Sequence, residues 1–286
     1  MKHLYILKTN LLFLVYIFSL VLTNASFAQK KEVAFKVIAF YTARHDLAHI
    51  SFVHEANKWF PAIARQYHFT YNSTDNWDNL NTRFLSQYEV VIFLDARPDK
   101  PAQRKAFQEF MESGGAWMGF HFSAFALTPS DYPMNWDWYH NRFLGSGSYV
   151  SNTWRPTSAV LRVENHFHPA TKNLPDTFSS SPNEWYRWQN DLRHNHDIDI
   201  LLSIDSSSFP LGTGPKQSEI WHNGYYPVVW SNKNYRMIYV NMGHNDIDYE
   251  HRIDSTNQTL SQTFGNKIQN QLIINSLLWL GKRKWP

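Results

Sequence analysis

Two short apolar runs constrain the fold of this chain more than any other feature of its sequence. Residues 88–94 (YEVVIFL) and 116–120 (AWMGF) are almost continuously apolar, without the alternation of a strand that faces water on one side. Strands of this kind are buried on both faces, as in parallel sheets that helices cover on either side. The rest of the chain must therefore supply those helices.

Strand and helix patterns alternate around these two runs. Residues 33–41 (VAFKVIAFY) predict a further strand, and Ser51 is expected to cap the helix after it, which Pro61 kinks or interrupts. Asp78 and Asp99 are expected to cap the next two helices. Such alternation is typical of an α/β fold with a parallel sheet.

The pattern becomes less regular after residue 122. Residues 123–156 are rich in Trp, Gly, Ser and Pro and predict an ordered insertion, further strand candidates follow, and residues 261–280 predict a closing amphipathic helix. No internal repeat or flexible linker divides the sequence. We therefore expect one α/β domain over residues 29–286, with a mostly parallel central sheet and helices on both faces.

The first 28 residues have the three parts of an export signal. Lys2 and Lys8 form a basic start, residues 11–22 (LLFLVYIFSLVL) are apolar, and residues 26–28 (SFA) fit a small-x-small cleavage site. The apolar part is shorter than the roughly 20 residues of a membrane helix. We expect cleavage before Gln29 and export to the periplasm or the medium, without stable membrane insertion afterwards. The alternative is a retained membrane anchor.

The composition excludes several kinds of function. The chain contains no cysteine, which excludes disulfides, thiolate metal sites and cysteine nucleophiles. Its 27 basic and 24 acidic residues nearly balance, and the only basic run is at residues 282–284, so no nucleic-acid partner is expected. Aromatic side chains make up 16% of the chain, which suits either core packing or contact with the apolar faces of sugar rings.

Histidines stand where several predicted strands end. His121 follows residues 116–120 directly, His45 follows the first strand, and His244 follows a late strand over residues 236–240. In open α/β sheets the ligand crevice lies beyond the carboxyl ends of the strands. Each histidine alone is more simply explained as a hydrogen-bonded structural residue. Three at equivalent positions predict a common site.

Seven segments together resemble the ThuA-like (trehalose-utilisation) family. They are ARHDLAHI (43–50), YEVVIFLDA (88–96), GGAWMGFH (114–121), WDWYHNRFLG (136–145), HPAT (168–171), NEWYRW (183–188) and MGHN (242–245). The resemblance covers about residues 33–280 and implies a flavodoxin-like fold similar to the class I glutamine amidotransferase domain. In this family a histidine, here His121, stands where those amidotransferases carry their nucleophilic cysteine. Glutamine hydrolysis through a thioester is therefore not expected.

The resemblance and the strand ends together give a set of candidate site residues. The residues expected to carry chemistry are His45, His121, Glu184 and His244. Substrate binding is expected from Arg44, Trp138, Trp185 and Tyr186. Glu184 joins the set through the resemblance, and its alternative is a structural salt bridge.

Imidazoles and a carboxylate suit two kinds of chemistry. They can transfer protons at a sugar carbon or a glycosidic oxygen, or they can bind a divalent metal such as zinc. The spacing of the candidates does not separate the two, because none lies in a short local motif.

The sequence is compatible with two functions. The resemblance implies an enzyme of carbohydrate breakdown, of hydrolase or isomerase type, acting on a disaccharide, a glycoside or a keto-sugar. The alternative is a non-catalytic protein that binds a small carbohydrate in the same crevice. A binding cleft has no need of several imidazoles with a carboxylate, so their convergence would favour the enzyme.

Overall fold

A mixed nine-stranded sheet organises the chain in the computed structural model, which describes residues 34–44, 46–126, 135–153, 155–208, 221, 224–245 and 261–281. The described strands are β1 (Lys36–Phe40), β2 (Thr70–Thr74), β3 (Val90–Phe93), β4 (Ala116–Phe120), β5 (Tyr149–Asn152), β6 (Val160–Val163), β7 (Thr177–Ser179), β8 (Tyr186–Trp188), β9 (Ile198–Ile204), β10 (Tyr226–Asn232) and β11 (Tyr235–Val240). The described α-helices are α1 (Leu47–Tyr67), α2 (Thr82–Leu85), α3 (Pro101–Glu112) and α4 (Lys267–Leu280).

The order of the strands divides the large sheet into two parts. Strands β2, β1, β3, β4 and β11 lie side by side in that order, and all of their pairings are parallel. From β11 the sheet continues through β10, β9, β6 and β7 with antiparallel pairings. Only β10 and β6 run against the common direction, so the sheet is mixed but mostly parallel. This confirms the α/β class, whereas the antiparallel extension was not predicted.

Helices cover both faces of the parallel part. Helices α1 and α4 pack on the face that includes Val37 and Ala39 of β1, and α3 packs on the opposite face with Ile38 and Phe40. Strands β3 and β4 are buried along their whole lengths, as their apolar sequences predicted. No described helix is both long enough and apolar enough to cross a bilayer.

Three predicted helix starts are wrong. Helix α1 begins after Asp46, whose Oδ1 accepts hydrogen bonds from the amides of Ala48 and His49, whereas the hydroxyl of Ser51 accepts from the amide of Ser261. The helix also continues through Pro61, because its buried face packs on the sheet on both sides of that residue.

At the other two helix starts, too, the predicted residue is not the cap. Asn81, not Asp78, caps α2, because Asp78 forms an exposed ion pair with Lys100 instead. Helix α3 begins at Pro101, and the side chain of Gln103 reaches back to the amide of Lys100, so Asp99 is not the cap. A short polar residue near a helix start is a weak signal when several compete.

The closing helix is shorter than predicted. Helix α4 starts at Lys267, and a separate 3₁₀ turn, Thr263–Gly265, precedes it. In the insertion, a π-helical turn spans Trp138–Phe143, and β5 pairs with β8 in a small second sheet. The prediction of a single domain over residues 29–286 includes parts of the chain outside the described residues, and it stays a prediction.

Candidate functional site

The carboxyl ends of three parallel strands deliver the candidate site residues to one edge of the sheet. His121 follows β4 directly, His244 lies in the loop after β11, and the loop after β1 leads to Asp46 at the start of α1. Strand β4 pairs with β11, so the two histidines emerge from neighbouring strands. Glu184 precedes β8, and its amide donates to the carbonyl oxygen of His244 over 2.9 Å.

Glu184 lies between two imidazoles. Its Oε2 is 2.7 Å from His244 Nδ1 and 3.3 Å from His121 Nε2. All three residues are buried, with 6% or less of each exposed. The structure thus brings together three of the four residues predicted to carry chemistry, although their catalytic roles stay predictions. The fourth, His45, lies outside the described residues.

An unusual backbone conformation aims His121 at this edge. Its φ angle is 38°, in the left-handed region that costs a non-glycine residue free energy. The hydroxyl of Tyr239 donates to the carbonyl oxygen of His121 over 2.9 Å and holds the turn in place. The chain therefore turns sharply out of β4 into a 3₁₀ turn, His121–Ala124, and the imidazole stays at the strand end.

Gly243 allows the neighbouring loop to pass close by. Its φ angle is 132°, and a Cβ atom there would lie 3.2 Å from the ring of Phe52 and 3.4 Å from Cβ of His121. Only glycine adopts this conformation readily. The loop after β11 can therefore place His244 beside His121.

His49 and Asp46 complete the site, and sequence reasoning missed both. The rings of His49 and His244 have centroids 4.8 Å apart, and those of His49 and His121 are 5.6 Å apart. Asp46 Oδ1 lies 3.4 Å from His244 Nε2. The misplaced helix start explains the omission, because only a helix that begins after Asp46 carries His49 in its first turn. We call His49, His121, His244 and Glu184 the histidine cluster.

Burial and the neighbouring charges shift the pKa values in the cluster in opposite directions. Burial alone would lower the pKa of His244, but the carboxylates of Glu184 and Asp46 raise it to about 10. Burial alone would raise the pKa of Glu184, but the facing His244 and His121 hold it well below its usual range. The raised pKa of His244 therefore favours its cationic form between the two carboxylates.

The other two imidazoles are held neutral. Burial, together with the neighbouring His244 and His121, lowers the pKa of His49 to about 3. Burial also lowers the pKa of His121, in spite of its hydrogen bond to Glu184. Neutral imidazoles keep a nitrogen lone pair that can accept a proton or bind a metal.

A cleft of about 820 Å³ opens beside the histidine cluster. His49 and Asp46 line it, together with the exposed Arg44, which was predicted to bind substrate. Trp77 and Phe122 supply aromatic surface. Tyr186 lies against the cluster, with its ring centroid 3.9 Å from that of His121.

Asp95 shapes the rim of the cleft. Its carboxylate accepts hydrogen bonds from the amides of Thr42 and Ala43 and from the hydroxyl of Thr42, over 2.6 to 2.8 Å. These bonds hold the loop after β1, which carries Arg44.

Two tryptophans predicted to wall the pocket lie elsewhere. Trp138 packs against Phe107, Phe143 and Tyr235, and Tyr235 begins β11 at the end opposite His244. Trp185 is fully buried in the core, where its Nε1 donates to the carbonyl oxygen of Thr157. Both predictions are wrong in placement, because large aromatic side chains fill cores more often than they line clefts.

Comparison with known proteins identifies the family. The model of the ThuA family, described as trehalose utilisation, matches residues 36–257, which include the whole histidine cluster. The chain belongs to the ThuA family. This membership relates it to carbohydrate use.

Two solved structures agree with the assignment. A ThuA-like protein from Bacteroides uniformis is 35% identical and superimposes with a TM-score of 0.75, covering 90% of this chain and 94% of that one. A ThuA-like protein from Parabacteroides merdae is 16% identical, with a TM-score of 0.55 and coverages of 87% and 90%, and this likeness concerns the fold alone. No curated protein matches the chain significantly.

Proposed function

We propose that this member of the ThuA family is an exported enzyme of carbohydrate breakdown, which acts on a disaccharide, a glycoside or a keto-sugar in the cleft. One observation carries the proposal. Glu184 Oε2 lies between His244 Nδ1 and His121 Nε2, at 2.7 Å and 3.3 Å, and the His49 ring, whose centroid is 4.8 Å from that of His244, lines the cleft.

The burial of these groups favours an enzyme over a carbohydrate-binding protein. Removing a carboxylate and imidazoles from water costs free energy, and hydroxyl recognition alone does not require it. Titratable groups gather in this way where a site transfers protons or binds a metal. The convergence that would separate the two functions therefore supports catalysis.

In this proposal the residues of the site have different roles. Glu184 orients the rings of His121 and His244 through one nitrogen of each, and Asp46 faces the other nitrogen of His244 at 3.4 Å. We assign sugar binding to Arg44 and Phe122 because both line the cleft. The cleft volume of about 820 Å³ falls within the usual range for small-molecule sites, about 300 to 1,000 Å³.

The strand order supports a finer assignment of the fold. The sequence β2, β1, β3, β4, β11 across the parallel part follows the doubly wound order 2-1-3-4-5. We infer a flavodoxin-like fold of the class I glutamine amidotransferase type, with His121 at the position of the nucleophile. Without any cysteine the chain cannot form the thioester of those enzymes.

Turnover of defined sugars tests the proposal. The wild type, His121→Ala and Glu184→Gln are to be assayed on trehalose, other disaccharides and their keto derivatives, with His166→Ala as control because His166 is half exposed and outside the site. Both site variants should lose about 10²- to 10⁴-fold in kcat/KM, the usual contribution of a proton-transfer group, and the control should be unchanged. Sugar binding without turnover in the wild type would instead establish the binding-protein alternative.

A further inference from the structure

Three buried nitrogen atoms in the site have no hydrogen-bond partner among the described residues. They are His49 Nε2, His121 Nδ1 and His244 Nε2. One ring nitrogen of each histidine lies within 4.8 Å of the corresponding atoms of the other two. Buried polar atoms are nearly always hydrogen-bonded, and of these three only His244 Nε2 has a described charged group near it, the Asp46 carboxylate at 3.4 Å, so the three nitrogens need an explanation.

The opposite nitrogens of two of these rings are occupied. His121 Nε2 and His244 Nδ1 both face Glu184 Oε2, and the free nitrogens are on the other sides of the rings. A histidine that binds a metal usually donates its second N–H group to a carboxylate, which fixes the ring and makes the ligand more basic. Glu184 has the position of such an outer partner rather than that of a ligand.

We propose that His49, His121 and His244 bind a zinc ion through these three nitrogens, with an open coordination position toward the cleft. Imidazole nitrogens suit zinc, whereas calcium and magnesium require oxygen ligands. Three protein ligands and one open position are the pattern of catalytic zinc sites. This set replaces the His45 and Glu184 of the sequence-based metal hypothesis with His49.

The distances and charges fit this assignment. Zinc–nitrogen bonds of about 2.1 Å in a tetrahedral site place the ligand atoms about 3.4 Å apart, so two nitrogens at the upper limit of 4.8 Å would need to approach by about 1.4 Å. Asp46 and Glu184 contribute two negative charges, which a divalent cation neutralises. Zinc would displace the proton from His244, because the ligands must be neutral imidazoles.

The inference deepens the proposed function and rests on it only for the identity of the substrate. A zinc ion bound by these three histidines would contact a substrate bound in the cleft beside His49. It would polarise a sugar carbonyl or activate a water molecule there, while Glu184 keeps the rings in position.

Zinc binding can be measured without any sugar. Untagged protein is to be stripped with a chelator, dialysed and titrated with zinc chloride by calorimetry, in the wild type and in His49→Ala, Glu184→Gln and His166→Ala. The wild type and the His166→Ala control should bind about one zinc ion per chain, as a single three-histidine site requires. Glu184→Gln should bind about 10- to 100-fold more weakly, the usual effect of an outer partner, and His49→Ala more weakly still.

A second measurement guards against a variant that fails to fold. Circular dichroism of the metal-free proteins should give the same spectrum for His49→Ala as for the wild type. His49 is the least buried of the three ligands, so its replacement should disturb the fold least. Cobalt chloride in place of zinc should give the intense visible bands of a tetrahedral site in the wild type and in His166→Ala, but not in His49→Ala. Wild-type affinity for zinc in a folded His49→Ala protein would overturn the proposal, as would a wild type that binds no zinc. Zinc binding without turnover of any sugar would leave this site standing and refute the proposed function alone.

Discussion

The role of a histidine in this protein depends on which of its ring nitrogens is free. In the histidine cluster, Glu184 occupies one nitrogen of His121 and one of His244, and the second nitrogen of each ring makes no hydrogen bond to a described residue, although that of His244 lies 3.4 Å from Asp46. At His168 the local backbone uses the ring instead. Its Nδ1 accepts a hydrogen bond from the amide of Ala170 over 3.1 Å, at the start of the 3₁₀ turn Pro169–Thr171.

His168 should make stability depend on pH. Burial lowers the pKa of His168 below the ordinary 6.5, although Asp199 opposes this, so the unfolded chain binds the proton more readily. The stabilisation is therefore complete above pH 6.5 and is lost as the pH falls toward the folded-state pKa. Urea unfolding of the wild type and of His168→Asn, which keeps an acceptor without titrating, should show a gap that changes across this range. A gap independent of pH would refute the titration of this ring.

At the scale of the element, caps decide where the helices begin. Asn266 starts α4: its Oδ1 accepts from the amides of Ile268 and Gln269, and its Nδ2 donates to the carbonyl oxygen of Ser179 in β7. One side chain thus joins the closing helix to an edge strand of the sheet.

Replacing Asn266 should separate these two roles. Asn266→Ala should lower the free energy of unfolding by about 1 to 2 kcal/mol, because it removes the cap and leaves the first turn of α4 without an acceptor. Asn266→Asp keeps the acceptor and loses only the donor to Ser179, so it should cost less. Chemical denaturation measures both. Equal losses in the two variants would show that the contact with β7, rather than the cap, stabilises this end of the helix.

The elements also show how far the sequence predicts the structure. Strands β3 and β4 are buried along their whole lengths, as their apolar runs required. The antiparallel partners beyond β11 were not predicted, because an apolar pattern does not specify the direction of a neighbour. Within the site, His121 and His244 could be predicted because each follows a strand. His49 could not, because its place depends on the turn at which α1 begins.

At the scale of the whole molecule, the expected export remains to be tested. Residues 1–33 lie outside the described residues, so the prediction rests on the basic start, the apolar run 11–22 and the cleavage pattern at residues 26–28. N-terminal sequencing of the protein recovered from a producing cell should begin at Gln29. Recovery from the membrane fraction with residues 11–22 still attached would show a retained anchor instead.

The pairing of β4 with β11 determines the stage of protein synthesis at which the site can form. The hydroxyl that holds the turn at His121 belongs to Tyr239, 118 residues further along the chain. A ribosome must therefore complete most of the protein before the histidine cluster can close, and long-range pairings of this kind form slowly. A chain cut short after α3 and β4 would carry His121 without its partners. The histidine cluster can therefore form only after the chain has been made as far as His244.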